Sequence, residues 1–561
     1  MEANARDLEK IFDRAIQYQI PLFQRPYVWD VDKGWQELWE EFGDLVSNRE
    51  NRIDHADEAY KLWPTNSDRA AYRLVHDSGS PDELEKHLKL TPTLRASNIV
   101  GAYQYFWKQL SDWFKSEVEG DDGKLDPQPD ISERLEVLWT VMRGKLQLVV
   151  IDLDKQDEAQ VIFETMNALG EPLLPADLIK NFLFRQAMAE GADVQKLYEQ
   201  HWGGFDDKQW RVEAKQGRIT RPLIDIFLNY YLALLTQDDV RSTHLFSAFK
   251  TFAGEEEKKE NKLIGVPNTA AEHMAMMARF GRIYRAFSET KQQPRLATFL
   301  RRLEAVDNQT VYPFLLMAYD ALMPDKQAEF DKILVVIESF LIRRMVIGLT
   351  TKNYNRLFID LTKAVAKSGE ISAASVSTWL ARSNADSQRF PTNEEFGKAI
   401  LVRPVYDELA QYKVRALLEA VDGQLEHAKS EALPLPTGLT IEHVMPQSWT
   451  TNWPLPPEVQ GDAVKMQEAR LRRYQLVDTL GNLTLITHSL NPSLSNGSWD
   501  TKRPELLKFS KLNLTRYFYD DANAKAWDEH AILARGTALA QTMIAIWPEV
   551  VRATEAAAEP A

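Results

Sequence analysis

The chain of 561 residues contains no cysteine. This excludes a disulfide scaffold, a zinc site with thiolate ligands, an iron–sulfur cluster and a thiol nucleophile, and it fits a reducing compartment. An uninterrupted apolar run of membrane-spanning length, ~20 residues, is also missing. The two most apolar stretches are Leu223–Leu235, which contains Asp225, and Ile333–Leu349, which contains Glu338, Arg343 and Arg344. The opening residues, MEANARDLEK, have no basic segment leading into an apolar one, so no secretory signal is expected. A cytoplasmic protein without a membrane partner is therefore expected. There is no Gly-x-x-x-x-Gly-Lys-[Ser/Thr] phosphate loop, and no internal repeat at a period of 20 to 50 residues. Basic residues are in deficit, 67 Lys and Arg against 82 Asp and Glu, for a net charge of −15. So acidic a chain is no generic nucleic-acid binder, because phosphate binding depends on clustered Lys and Arg.

The deficit is uneven. From Asp462 to Arg516 there are nine Lys or Arg against five Asp or Glu, so a basic segment lies towards the C-terminus. The length suggests roughly three or four domains, with ample apolar content for a core that needs no staples. Helical spacing dominates. Leu8, Ile11, Phe12, Ala15 and Ile16 form one apolar stripe, Trp35, Leu38, Trp39 and Phe42 another, and Ile99–Phe114 an aromatic helix. Gln160–Asn167 and Pro175–Gln186 read as two helices around a Gly-Glu-Pro turn, and nearly every segment from Arg221 to Trp379 has helical spacing. Helical patterns resume from Asn393 to Lys429. Leu146–Leu153 is the best buried-strand candidate of the N-terminal half. Val118–Asp130 and Gly254–Lys262 read as exposed loops, and Glu431–Gly438 as a Pro-rich connection. The expected class is mostly α with small β parts, α+β.

The chemistry concentrates in Thr440–Lys502. Thr440-Ile441-Glu442-His443-Val444-Met445-Pro446-Gln447 is a short apolar strand that delivers a Glu-His pair before a proline stops it. Leu480-Gly481-Asn482-Leu483-Thr484-Leu485-Ile486 reads as a turn followed by a strand. Asn491, the helix-opening Ser493–Gly497 and Lys502 follow. Each element is ordinary by itself: Gly-Asn suits any tight turn, Asn491-Pro492 initiates turns, and a lone lysine is surface charge. In this order they match a ββα-metal (HNH) nuclease site. Phosphodiester hydrolysis needs an in-line water and charge relief at the phosphate. His443 can take the water's proton. A hard cation, Mg²⁺ or Mn²⁺, sits on oxygen ligands such as the Asn491 amide and the Glu442 carboxylate. Asn482 can brace the loop that carries the histidine, and Lys502 with Arg503 can hold phosphate near a helix N-terminus. His488, within the same loop, is a weaker candidate for metal or phosphate.

TIEHVMPQSW, LGNLTLI, NPSLSN and WDTKR resemble the C-terminal HNH domain of GmrSD-type, modification-dependent (type IV) restriction endonucleases. Ile20–Trp29, with Phe163–Leu173 and Asp177-Leu178-Ile179-Lys180-Asn181, is similar to motifs of the N-terminal domain of those proteins, which has a ParB/sulfiredoxin-like core associated with nucleotide binding and hydrolysis. The resemblance implies an N-terminal sensor domain over 1–185 and a nuclease domain over 386–552; spacing and composition add a helical middle over 186–385 and a flexible tail over 553–561. The resemblance makes His443 the general base, Asn491 with Glu442 the metal side, and Asn482 the brace. In the N-terminal domain Gln24 and Arg25 would contact nucleotide or phosphate, Arg offering a bidentate fork. Asn167, Asp177 and Lys180 would line that cleft or set its shape.

The resemblance further implies a DNA endonuclease of anti-phage defence. Its partners would be double-stranded, modified phage DNA and an NTP, and a homo-oligomer is compatible with it. One departure stands out. The family's Asp-Gly-Gln-Gln-Arg element, expected before Tyr60-Lys61-Leu62-Trp63-Pro64-Thr65-Asn66, is missing. Either the element has been lost, or residues are absent at the junction near Glu41–Val46. Both readings weaken NTP hydrolysis as the activity of this chain. A non-cleaving DNA-binding or regulatory protein with a vestigial HNH fold, or an enzyme that is chiefly an NTPase, are the competing functions.

Overall fold

The computed structural model describes residues 68–78, 80–116, 131–152, 174–217, 219–290, 293–426, 435–490 and 496–550, with short segments at 2–7, 18–19, 59–60, 62–64, 118–119 and 125–126. Helices dominate the described residues, and each sheet among them is a two-stranded pair. The apolar run expected as a strand is β2 (Gln147–Asp152), paired antiparallel with β1 (Glu2–Asp7), a strand with no sequence signal of its own. The aromatic segment is α1 (Asn98–Lys115), whose N-terminus is capped by the Ser97 side chain. Within the loop expected at 118–130, Val118–Glu119 pairs with Leu125–Asp126. The expected helices over 8–16, 35–42 and 160–167 lie outside the described residues.

The middle of the chain is centred on two helices buried over much of their surface, as core helices are. In α3 (Leu223–Thr236) every residue from Ile224 to Leu235 is buried. Each large aliphatic or aromatic side chain so placed contributes roughly 1.5–3 kcal/mol over leaving it in water. The charges that interrupt the second apolar stretch are the hub of α4 (Gln327–Ile347). Glu338 accepts from Arg295 (2.6 Å), Arg302 (2.5 Å) and the Trp547 indole (2.7 Å). Arg343, fully buried, donates to the carbonyls of Trp547 (2.8 Å) and Pro391 (3.1 Å). Thus the charges that exclude a membrane helix in the sequence fasten α4 to three other segments of the chain. Among the described residues no helix is long and apolar enough to cross a membrane.

One apolar core runs from α2 (Pro175–Ala189) through the middle helices to Leu480, Leu483 and Leu485. A second, smaller core of Trp449, Trp453, Trp499, Phe518 and Trp527 packs near the C-terminal strands. There α5 (Asn393–Val402), α6 (Val405–Glu408) and α7 (Gln411–Gln424) precede β3 (Leu439–His443). Then come α8 (Ala463–Val477), β4 (Leu483–Thr487), α9 (Trp499–Phe509) and α10 (Glu529–Ile546). β3 and β4 are antiparallel, with His443 opposite Leu483 and Glu442 opposite Thr484. The helix α8 occupies a stretch whose sequence shows no apolar stripe. Only Arg473, Leu476 and Val477 of α8 are buried, so periodicity has nothing to report, while Asp462 caps its N-terminus through Val464 N and Lys465 N.

Candidate active site

His443 ends β3, where Pro446 prevents the strand from continuing. Its ring Nε2 lies 2.8 Å from Asp478 Oδ1, at the C-terminus of α8. The side chains are 12% and 10% exposed, so the pair sits just beneath the surface rather than in the dry core. Gln447 Nε2 donates to the same Asp478 oxygen (2.8 Å), and Tyr406 N donates to the Asp478 carbonyl (3.2 Å). The Tyr406 ring stands edge-on to the imidazole, with centroids 4.3 Å apart. Tyr406 is carried by α6, which Arg403 anchors by donating to the carbonyls of Met345 and Val346 and pairing with Glu408.

Burial alone would push the Asp478 carboxyl up, but hydrogen bonds from His443 and Gln447 outweigh it and hold the group below its usual range. Asp407, beside it, is pushed up, first by desolvation and then by the negative charge of Asp478. The site therefore has an imidazole backed by an ionised carboxylate, with a second carboxyl beside it held above its usual range.

Asn482 is fully buried and uses its whole amide. Its oxygen accepts from Met445 N (2.9 Å) and Trp527 Nε1 (3.0 Å), and its nitrogen donates to the carbonyls of Met445 (2.8 Å) and Val477 (2.7 Å). It ties the end of β3 to the end of α8 and to Trp527, just ahead of α10, the geometry of a brace with no atom left for substrate. Gly481 beside it must be glycine: a Cβ there would come within 2.3 Å of the Ile532 carbonyl on α10. Arg535, buried, donates to the carbonyls of Gly481 (2.9 Å) and Leu483 (2.7 Å).

Lys502 differs from the sequence expectation. The ammonium does not reach outward to a phosphate. It is 1% exposed and donates to Glu442 Oε1 (2.6 Å) and to the His443 carbonyl (2.7 Å). Burial pulls its pKa down against the opposing pull of Glu442. The physical reason is register. Glu442 alternates to the face of β3 opposite His443, towards α9, and a carboxylate buried there needs a cation. Glu442, expected on the metal side, thus has one oxygen committed to Lys502. Arg503 donates to the Phe518 carbonyl and to Asp521. Asn491 lies outside the described residues. Among the described residues no three His, Asp or Glu side chains converge as a metal cluster. Those residues fit a cation only in part.

Of the N-terminal candidates, Gln24, Arg25 and Asn167 lie outside the described residues. Asp177 and Lys180 are both on α2 and both 1% exposed. Lys180 pairs with Asp206 (3.1 Å), to which the Tyr198 hydroxyl also donates (2.8 Å), and Asp177 pairs with Arg211 (2.9 Å). They act as struts that join α2 to the middle helices. Sequence reasoning missed Asp478, Gln447 as its partner, Tyr406 and Asp407. Asp478 is 35 residues from His443, with no spacing that announces it, whereas Gln447 stood in plain view in the His443 motif.

Residues 390–542 match the family model for GmrSD restriction endonucleases, C-terminal domain, and residues 44–184 match that for the N-terminal domain. Together the matches cover more than half of the chain, and the first contains the whole His443 constellation. No curated protein matches the chain. With both domains present in order and the site inside the C-terminal one, the chain belongs to the GmrSD restriction endonuclease family.

Proposed function

We propose that the protein is a metal-dependent DNA endonuclease of anti-phage defence, of the modification-dependent type IV kind, acting in the cytoplasm. In this reading β3, β4 and α9 form an HNH (ββα-metal) site. His443 takes the proton of the water that attacks the phosphodiester. Mg²⁺ or Mn²⁺, when bound, supplies charge relief at the phosphate. The N-terminal domain, ParB/sulfiredoxin-like, senses a nucleotide or a DNA modification and restrains the nuclease until its substrate is present.

The observation that carries this reading is the His443 imidazole. It stands at the end of a strand, just below the surface, backed by a buried ionised carboxylate, within the segment that matches the GmrSD C-terminal domain. General bases are built this way, with a third group orienting the ring. The Lys502–Glu442 pair fixes the backbone of the same strand from the other side.

The test is a cleavage panel: modified and unmodified phage DNA, with and without NTP, in Mg²⁺ and in EDTA. The wild-type chain should cut in Mg²⁺ and stop in EDTA. His443→Ala should retain its fold and lose at least about 10²-fold in rate, the range for removing a general base. Undiminished cleavage by that variant would overturn the assignment. DNA binding with no cleavage and no thermal response to Mg²⁺ would favour a vestigial, regulatory protein.

A further inference from the structure

We propose that Asp478 is the positioning residue for His443: it holds the Nε2 proton and so makes Nδ1 the atom that receives the proton of the attacking water. The inference rests on the nuclease reading above and adds the tautomer and the group that selects it.

The geometry supplies two observations, joined by the chemistry of the carboxylate. The Nε2–Oδ1 separation of 2.8 Å is that of a full hydrogen bond between two nearly enclosed groups. An ionised carboxylate only accepts, so the shared proton resides on Nε2, and the lone pair of the neutral ring is then on Nδ1. Among the described residues Nδ1 has no hydrogen-bond partner.

Asp478 is itself fixed. Gln447 donates to the same oxygen, so the carboxylate cannot swing away without breaking that bond, and Tyr406 N, donating to the backbone carbonyl, fixes the main chain that carries it. The Tyr406 ring, edge-on at 4.3 Å, limits rotation of the imidazole about its own bond. Asp478 makes no use of a metal or of substrate in this role. Its effect is to keep one ring nitrogen protonated and the other aimed and basic, and to stabilise the imidazolium that forms as the water gives up its proton.

The experiment compares the full-length wild type, Asp478→Asn, Asp478→Glu and His443→Ala in steady-state DNA cleavage, with thermal melts as a control for folding. Asp478→Asn presents an amide that can donate to Nε2 and reverse the tautomer. It should lower kcat on the order of 100-fold with little change in KM. Asp478→Glu keeps the carboxylate and should recover part of that loss. A purely structural role would move melting temperature and active fraction, not the ratio of Asn to Glu activities. Ring ¹⁵N NMR of the wild-type protein, with His443→Ala to assign the signal, provides a measurement independent of whether variants fold. It should show His443 protonated on Nε2 and bare on Nδ1.

A folded Asp478→Asn with kcat unchanged, or a wild-type ring protonated on Nδ1, would overturn the inference even if His443→Ala is dead. A His443→Ala variant that cuts as well as wild type would instead overturn the nuclease reading on which it rests.

Discussion

Replacing Asn482 by alanine separates two roles that a nuclease motif leaves confounded. If Asn482 is a brace, the change removes four hydrogen bonds at once and strands Met445 N–H, Trp527 Nε1–H and the carbonyls of Met445 and Val477 in the interior. Each buried polar group left without a partner costs about 1–3 kcal/mol. Relaxation and water entry recover some of it, so a loss of about 4–8 kcal/mol is expected, a large share of the ~5–15 kcal/mol that holds a domain together. Urea unfolding followed by tryptophan fluorescence is the natural assay, because Trp449, Trp453, Trp499 and Trp527 all lie in the core that Asn482 borders. The midpoint should fall sharply, and any residual cleavage should track the folded fraction. Asn482→Asp should fare little better, since it sets a carboxylate oxygen against two carbonyls. An Asn482→Ala variant that unfolds within about 1 kcal/mol of wild type yet has lost cleavage would rule out the brace, for then the amide would act on substrate or metal.

Two further outcomes test other parts of the structure. Lys502→Met should destabilise the C-terminal region by about 3–5 kcal/mol, because Glu442 is left buried and unpaired, while the double variant Lys502→Met/Glu442→Gln should regain much of that loss. Equal unfolding midpoints for the single and double variants would refute the strut. His273 is fully buried between Phe249 and Phe252, and burial lowers its pKa to about 4. Its unfolded value is near 6.5, so the unfolded state takes up the proton first. Stability should be complete above about pH 6.5 and fall between there and pH 4, by about 3 kcal/mol in all. Urea midpoints against pH should show this slope in wild type and not in His273→Leu; identical slopes would show that the ring carries no such linkage.

Much of the fold was legible because helical amphipathicity and apolar runs are local properties. The segment 98–115, the largely apolar α3 and the strand 147–152 follow from spacing alone. The failures are physical as well. α8 escaped because its exposed faces carry no stripe, and β1 escaped because a six-residue strand paired with a partner near residue 150 has no local reason to be one. In the site, His443, Glu442, Asn482 and Lys502 could be named from order and spacing, and the structure gathers all four around β3. Their partners could not be named. Asn482 spends its whole amide on backbone and Trp527, and Lys502 faces inward because the strand turns Glu442 that way.

By itself the sequence determined which residue types are available: no thiol, an acidic chain with a basic C-terminal segment, and a strand that delivers a histidine before a proline. Those are properties of composition and near neighbours. Tertiary structure alone decided that a carboxylate at the end of a separate helix meets that histidine, and that an aromatic ring from α6 stands against it. Such contacts arise where α6, α8 and β3 meet in space, so their partners are set by the path of the chain and leave no periodicity behind.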